Sequence, residues 1–158
     1  MIRATKTGHF HAAFADTVVL AHAERSHRKG VVRAVGGLEF MIDLPDGPPP
    51  GRGDSYVLDD GRLIEIIAAP EELIEVRGKD ALHVTRLAYH LGKQQITCEI
   101  TPKFIRLKRD AAIAGTLTAM GAKVIEVSAP FHPEGEAVHA HCDHDHGSHA
   151  HHGHDHAH

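Results

Sequence analysis

The last twenty residues limit what the rest of this chain can fold into. They read HAHCDHDHGSHAHHGHDHAH and hold ten of the protein's seventeen histidines, with one cysteine, three aspartates and no large apolar side chain. Such a segment cannot bury enough apolar surface to offset the entropy lost on ordering it. We therefore predict a disordered His-rich tail and a fold built from the preceding residues alone.

The composition of this tail is typical of transition-metal binding. An unperturbed imidazole has a pKa near about 6.5, so most of these rings are neutral at pH 7. Each neutral ring offers a lone pair to a borderline ion such as Ni²⁺, Cu²⁺ or Zn²⁺, and the repeated His-x-His spacing lets a chain fold two rings around one ion. The predicted ligands are His139, His141, Cys142, His144, His146, His149, His151, His152, His154, His156 and His158.

Two plainer interpretations compete with metal binding. A purification tag is normally an unbroken histidine run, whereas here only His151 and His152 are adjacent. A solvated low-complexity tail without a role is the other alternative. We favour metal binding because the imidazoles of His-rich tracts offer lone pairs to metal ions. The composition names neither the metal nor its purpose.

Composition bounds the remaining residues. Apolar residues make up 42% of the chain, but aromatic residues only 4%, so the core must be aliphatic. A net charge of −4 lacks the basic excess of nucleic-acid-binding proteins, and two cysteines exclude a disulfide framework. We see no signal peptide in Met1–Phe10 and no stretch near the roughly 20 apolar residues of a membrane span. These patterns predict a cytoplasmic protein that binds neither nucleic acid nor membrane.

Residues 1–70 are predicted to form a small all-β domain. Asp59-Asp60-Gly61 is typical of a hairpin turn, and Pro45–Gly53 has the composition of a loop. No helical period of useful length occurs. The predicted strands are Thr17–Leu20, Lys29–Val35, Leu38–Leu44, Ser55–Leu58 and Arg62–Ala68.

The pattern changes after Pro70. Asp80 can cap a helix that runs from Ala81 to about Leu91, with Gly92 as a stop signal, and Asp110 can cap a second helix that Gly121 ends. The predicted order over residues 71–128 is β-α-β-β-α-β, the ferredoxin-like arrangement, and the whole chain is α+β. Residues 129–158 are predicted to be an exit segment without a core pattern, followed by the tail. The strands of this half are Leu73–Arg77, Ile96–Ile100, Lys103–Lys108 and Lys123–Val127.

Two histidines outside the tail are further candidate metal ligands. His132 lies in the exit segment, close in sequence to the tail. His83 and His90 lie on the polar side of the first helix, about 10.5 Å apart along its axis, so they cannot share an ion within a monomer. At a two-fold dimer axis, one His90 from each chain could form a shared pair.

The other histidines carry weaker signals. In a strand, His9 and His11 would share one face and could chelate, but an isolated pair of this kind is more often simply exposed. His22 and His27 are predicted to be solvated loop residues. Cys98 lies among apolar neighbours and is predicted to be a small buried residue.

Catalytic signatures are missing from the sequence. It contains no nucleophile elbow, no Walker loop and no dinucleotide-binding fingerprint. A catalytic metal needs a rigid ligand shell with ordered supporting groups, which a disordered tail does not supply. We therefore predict carriage or storage of metal rather than an enzyme.

Three stretches resemble the UreE family of urease accessory proteins. Leu87–Gly92 (LAYHLG) is similar to the family's helix end. Ile100–Gly121 (ITPKFIRLKRDAAIAGTLTAMG) is similar to the strand and Asp-started helix that follow, and Ala129–Glu136 (APFHPEGE) resembles the exit before the family's His-rich C-terminus. The likeness covers much of the second half and the tail, while the first domain agrees only in type and order.

The resemblance implies a nickel metallochaperone. Such a protein would bind Ni²⁺ in the cytoplasm, with Zn²⁺ or Cu²⁺ as alternative ions, and would act as a homodimer. It would pass nickel, together with an accessory GTPase, to the apo-urease assembly complex. Beyond the resemblance, we infer a ligand-exchange mechanism in which weak histidine sites collect Ni²⁺ and a more rigid site takes it by replacing ligands one at a time.

One departure from the family pattern affects the metal site. The family commonly reads Tyr-His-Leu-Gly-Asn-Arg-His, and its last histidine is the ligand at the dimer contact. Here Gln95 stands at that position, and a neutral amide is a poor ligand for Ni²⁺. We hypothesise that His90 replaces the missing ligand or that the tail has taken over most of the binding.

Two other functions stay open. One is a store or detoxifying buffer for transition metals. The other is a peptide-binding folding helper that uses the β-rich first domain, with the tail incidental.

Overall fold

The computed structural model describes residues 1–137, which form two β-sheets. The first sheet has six strands in the order β2-β6-β5-β1-β4-β3. It contains both parallel pairs (β1 with β4, β2 with β6) and antiparallel pairs. The strands are β1 Arg3–His9, β2 Asp16–Leu20, β3 Lys29–Arg33, β4 Glu39–Asp43, β5 Asp54–Leu58 and β6 Leu63–Ala68.

The first sheet forms because its strands alternate between buried and solvated side chains. In β4, Phe40 and Ile42 are buried while Glu39 is exposed, and β6 follows the same period with Ile64 and Ile66. A single, mostly aliphatic core results, and the predicted sheet-rich first region is confirmed. Its buried members are Ala4, Val18, Leu20, Ala34, Phe40, Ile42, Leu44, Tyr56, Leu58, Ile64 and Ile66.

Two elements of this region are absent from the sequence prediction. Strand β1 (RATKTGH) is polar apart from Ala4, yet it lies in the middle of the sheet between β5 and β4. A four-residue helix, α1 (His22–Arg25), follows β2. It is too short to produce a helical period, and its side chain Glu24 accepts a hydrogen bond from the backbone N–H of Ala21.

The second sheet has four strands in the order β10-β7-β9-β8, all antiparallel. Two helices pack against one face of it, and the described part of the chain therefore has the predicted mixed α+β composition. Leu87, Leu91 and Leu117 of these helices are buried against Ile74 and Leu107 of the sheet. The elements are β7 Pro70–Arg77, α2 Ala81–Lys93, β8 Cys98–Ile100, β9 Ile105–Lys108, α3 Ala111–Ala119 and β10 Lys123–Pro130.

Both predicted helix caps are confirmed. The Asp80 carboxylate accepts a hydrogen bond from the His83 N–H at 2.8 Å, and the Asp110 carboxylate accepts from Ala112 and Ile113. Each aspartate satisfies backbone donors that the first helical turn leaves unpaired.

The predicted end of α2, about Leu91, is wrong by two residues. Gly92 does not stop the helix, which continues to Lys93, and the left-handed residue that ends it is Gln95 at φ 57°. The Ile96 N–H donates to the Leu91 carbonyl and the Gln95 N–H to the Gly92 carbonyl, the two bonds of a Schellman motif. Glycine is the usual residue at this position because it has no Cβ to clash.

The strands of the second sheet differ in length from the prediction. β8 begins at Cys98 and not at Ile96, while β10 continues past Val127 to Pro130. The extension arises because β10 pairs with β7 along its whole length, from Lys123 opposite Arg77 to Pro130 opposite Pro70. No helix within residues 1–137 is long and apolar enough to span a membrane.

Replacing Gln95 by glycine is expected to stabilise the protein. The change relieves the left-handed strain of a residue with a Cβ, so the free energy of unfolding should rise by about 0.5–1 kcal/mol. Thermal denaturation should show a midpoint a few degrees higher, roughly 2–4 °C. The matched control is Gln94→Gly, because Gln94 has an ordinary φ of −83°; an equal rise in both variants would contradict the assignment.

Candidate functional site

The predicted ligands of the tail, from His139 to His158, lie outside the described residues and stay a prediction. The structure does describe the segment that leads to them, 131–137, which follows the end of β10. This connecting segment was predicted to have no core pattern, and that prediction is wrong. Phe131 is fully buried, and the backbone N–H groups of Glu134 and Ala137 donate to the carbonyls of Cys98 and Pro49.

The connecting segment is held by a buried cation from the first unit, the part of the chain that contains β1–β6 and α1. Arg25, in α1, exposes only 1% of its side chain. Its guanidinium donates to the backbone carbonyl of Phe131 at 2.5 Å and to that of Leu20 at 3.0 Å. The same group forms an ion pair with the carboxylate of Glu136 at 2.6 Å. One side chain thus joins the first sheet, the end of the second sheet and the connecting segment.

Glu136 bridges Arg25 and His132. Its second carboxylate oxygen lies 2.8 Å from Nδ1 of His132, and it exposes only 7% of its side chain. Burial acts to raise the pKa of Glu136, but the hydrogen bonds from His132 and Arg25 outweigh it and hold that pKa below the ordinary 4.5. Glu136 is therefore a carboxylate at neutral pH and accepts the Nδ1–H of the His132 tautomer that carries its hydrogen on Nδ1.

This tautomer gives His132 the geometry of a metal ligand. A carboxylate that accepts the proton of one ring nitrogen leaves the lone pair of the other nitrogen for a metal and fixes the ring's orientation. The ring is 15% exposed and borders an open cleft that is also lined by Arg52, Glu99, Thr101 and Glu134. His132 is thus accessible and oriented, although its own site offers few other donors.

His90 lies on α2 and is partly exposed. It lines a groove between the two helices with Gln94, Ile96, Ala112, Ile113 and Thr116. Its neighbour Tyr89 exposes 72% of its surface. No second histidine approaches it within the described chain, so the structure of one protomer gives it no shared ion.

His83, by contrast, serves the fold. Its Nδ1 accepts the Lys79 backbone N–H at 2.9 Å, and its Nε2 lies 2.9 Å from the Met120 carbonyl, to which it donates. Both ring nitrogens are used to join the start of α2 to the end of α3. His83 therefore has no lone pair left for a metal.

The prediction of a solvated loop at His22 is wrong. His22 begins α1, is half-buried, and packs edge-on against Phe131 with ring centroids 5.7 Å apart. Desolvation lowers the pKa of His22. His27 is exposed, and Cys98 is buried as predicted, with burial raising the pKa of its thiol.

Within residues 1–137, no three His, Cys, Asp or Glu side chains converge closely enough to hold a metal ion. The described part of the chain therefore supplies single histidines and pairs rather than a complete ligand shell. Arg25 and Glu136, which orient His132, were missed by sequence reasoning. The spacing of Glu136 four residues after His132 was visible, but nothing in the sequence points to Arg25.

Both halves of the chain match models of a known protein family. Residues 1–69 match the family model described as the UreE urease accessory protein, N-terminal domain, and residues 71–158 match its C-terminal domain. The chain belongs to the UreE family of urease accessory proteins. Both halves are covered by the match, including the first unit, where sequence reasoning found only agreement in type.

Individual UreE relatives agree with this assignment. A urease accessory protein UreE of Rhodopseudomonas palustris (strain HaA2) is 46% identical over 87% of this chain and 65% of its own length. That of Bradyrhizobium sp. (strain ORS 278) is 46% identical over 93% of this chain and 71% of its own. That of Chelativorans sp. (strain BNC1) is 43% identical over 92% and 94%. The chain thus spans just under two thirds of the first relative and nearly all of the last.

Removing the Arg25 cation is expected to destabilise the protein strongly. Arg25→Ala leaves the Glu136 carboxylate buried without its partner, which should cost about 3–5 kcal/mol of unfolding free energy in urea denaturation at pH 7. Because the pKa of Glu136 is lowered in the fold, this contribution is present above the ordinary pKa and is lost as the pH falls through the folded value. The difference between the two proteins should therefore shrink in acid.

The matched control is Arg3→Ala, which breaks an exposed ion pair with Asp43 at 3.3 Å. It should cost less than about 1 kcal/mol. Equal losses in the two variants, or an Arg25→Ala loss that does not change with pH, would contradict the proposed role of the buried pair.

Proposed function

We propose that this protein is a nickel metallochaperone that delivers Ni²⁺ during assembly of the urease metallocentre. The observation that carries the proposal is membership of the UreE family in a chain whose last twenty residues hold ten histidines. Nickel is the cargo and no reaction is catalysed. The setting is the cytoplasm, and the receivers are an accessory GTPase and the apo-urease assembly complex.

Ligand exchange gives a physical mechanism for delivery. Imidazole ligands from His139 to His158 collect Ni²⁺, and the ion moves on as ligands are replaced one at a time. Protons compete for the same nitrogens, so affinity should fall below about pH 6.5. The usual affinity order places Cu²⁺ above Ni²⁺ at such sites, so these ligands also accept Zn²⁺ and Cu²⁺, and selectivity for nickel must come from the receiving partner.

His132 is the ligand that the folded body holds in place. Glu136 fixes its tautomer, and Arg25 fixes Glu136 through a nearly fully buried ion pair. Its position in the connecting segment puts it seven residues before His139, where the tail begins. A fixed ligand at the base of the tail can take over an ion whose other ligands are exchanging.

The second unit, the part of the chain that contains β7–β10, α2 and α3, is proposed to be a ferredoxin-like domain that mediates homodimer formation. Its β-α-β-β-α-β order and its strand order β10-β7-β9-β8 support this fold. Along α2, Leu82 and Tyr89 expose apolar surface, which is available for the same helix of a second chain. His90 lies beside Tyr89, so a two-fold contact there would bring two His90 rings together in place of the ligand missing at Gln95.

Urease activation under limiting nickel tests the proposal against its alternatives. Adding the full-length protein to apo-urease and its other accessory proteins should raise activity well above the level without it. Changing the ten tail histidines to alanine should remove most of that gain, and His132→Ala part of it. His27→Ala, at an exposed histidine that belongs to neither the tail nor the connecting segment, is the matched control and should leave activation unchanged.

The remaining outcomes identify the other functions. Bound nickel without any gain in urease activity would indicate a store or buffer. Full activation by the variant with an alanine-substituted tail would indicate a folding helper whose tail is incidental.

A further inference from the structure

Two histidines of the first unit lie together outside the sites described so far. His9 is the last residue of β1, and His11 follows it by two positions. Their ring centroids are 5.0 Å apart and their planes cross at 82°. His11 is exposed and His9 partly so.

This separation fits two imidazoles that share one metal ion. A metal–nitrogen distance of about 2.0–2.1 Å, extended to the ring centre, places each centroid about 3.2 Å from the ion. Two such ligands at about 90–110° around the ion then have centroids roughly 4.5–5.2 Å apart. The observed 5.0 Å falls within that range, although edge-to-face packing of two rings also permits it.

The position of His9 is fixed by the neighbouring loop. In the sheet, His9 pairs with Asp54 of β5, and the His9 ring lies against Gly53. A Cβ at Gly53 would come within 2.7 Å of that ring, and its φ of +81° also favours glycine. The backbone N–H of Gly51 donates to the buried Asp54 carboxylate at 2.8 Å, which holds the loop in place.

The same loop contacts the end of the connecting segment. The Ala137 N–H donates to the Pro49 carbonyl at 2.9 Å, and the Ala137 carbonyl packs directly on Gly51. Ala137 is the last residue that the structure describes, two positions before His139, where the tail begins. The histidine pair therefore lies beside a loop that contacts Ala137, at the end of the connecting segment.

We propose that His9 and His11 form a second metal site, in which two imidazoles hold one divalent transition-metal ion and water fills its remaining positions. Imidazole ligands suit Ni²⁺, Cu²⁺ or Zn²⁺. A role for this site in receiving ions from the tail rests on the proposed function. Binding of an ion by His9 and His11 does not depend on that function. The site needs only one nitrogen lone pair from each ring.

Site-resolved NMR separates this site from the ligands of the tail. Ni²⁺ is added in substoichiometric amounts to the ¹⁵N-labelled chain in which the ten tail histidines are alanine. Paramagnetic broadening is expected at the amides of Gly8, Phe10 and Gly53, and His11→Gln in the same background should abolish it. The matched control is His27→Gln, at an exposed histidine elsewhere in the first unit, which should leave the broadening intact.

Either of two results would overturn the site. Absence of broadening at these amides would show that the rings only pack edge-to-face, and broadening that survives His11→Gln would place the ion elsewhere. His11 is exposed, so its replacement should leave the amide spectrum of the remaining residues unchanged. Urease activation plays no part in the readout, so a failure of the delivery proposal would appear in the activation assay and leave this result unaffected.

Discussion

The buried guanidinium of Arg25 is the contact on which the arrangement of this molecule depends. A cation that exposes 1% of its side chain must be compensated, because an unpaired buried charge costs several kcal/mol. Here the compensation comes from Glu136 and from the carbonyls of Phe131 and Leu20. These groups belong to different parts of the chain, so satisfying one charge ties the first unit to the connecting segment.

Because of these contacts, the connecting segment before the histidine-rich sequence has a defined position on the folded body. Phe131 fills a fully buried position, His132 is oriented by Glu136, and Ala137 is hydrogen-bonded to the loop of the first unit. A carrier that gives up its ion must combine exchangeable ligands with a body that a partner can recognise. In this protein the described residues supply a folded body and one oriented histidine, and the sequence beyond them supplies the repeated imidazoles.

Local patterns made much of the fold predictable. Strands β4 and β6 and the aspartates that cap both long helices depend on near neighbours in sequence, and each of these predictions was confirmed. Strand β1 was missed because its side chains are polar and its place depends on pairing with β4 and β5. The end of α2 was misplaced because Gln95 adopts a backbone conformation for which glycine is the usual signal.

The candidate site was less predictable because its contacts are distant in sequence. Arg25 and Phe131 are 106 residues apart, and a single phenylalanine between prolines gives no periodic pattern. His132 was identified only by its closeness to the tail, whereas its tautomer depends on Glu136 and, through it, on α1. His83 and His90 looked alike on one helix, and the hydrogen bonds to Lys79 and Met120 show that His83 serves the fold.

The central claim is that the chain carries exchangeable nickel on imidazole ligands attached to a folded body. Equilibrium dialysis of the full-length protein against Ni²⁺ near pH 7 tests it most directly. The account predicts uptake of several ions per chain, most of them lost at pH 5 and in a variant whose ten tail histidines are alanine. Uptake of no more than trace nickel by the full-length chain near neutrality, or uptake that persists at pH 5, would contradict it.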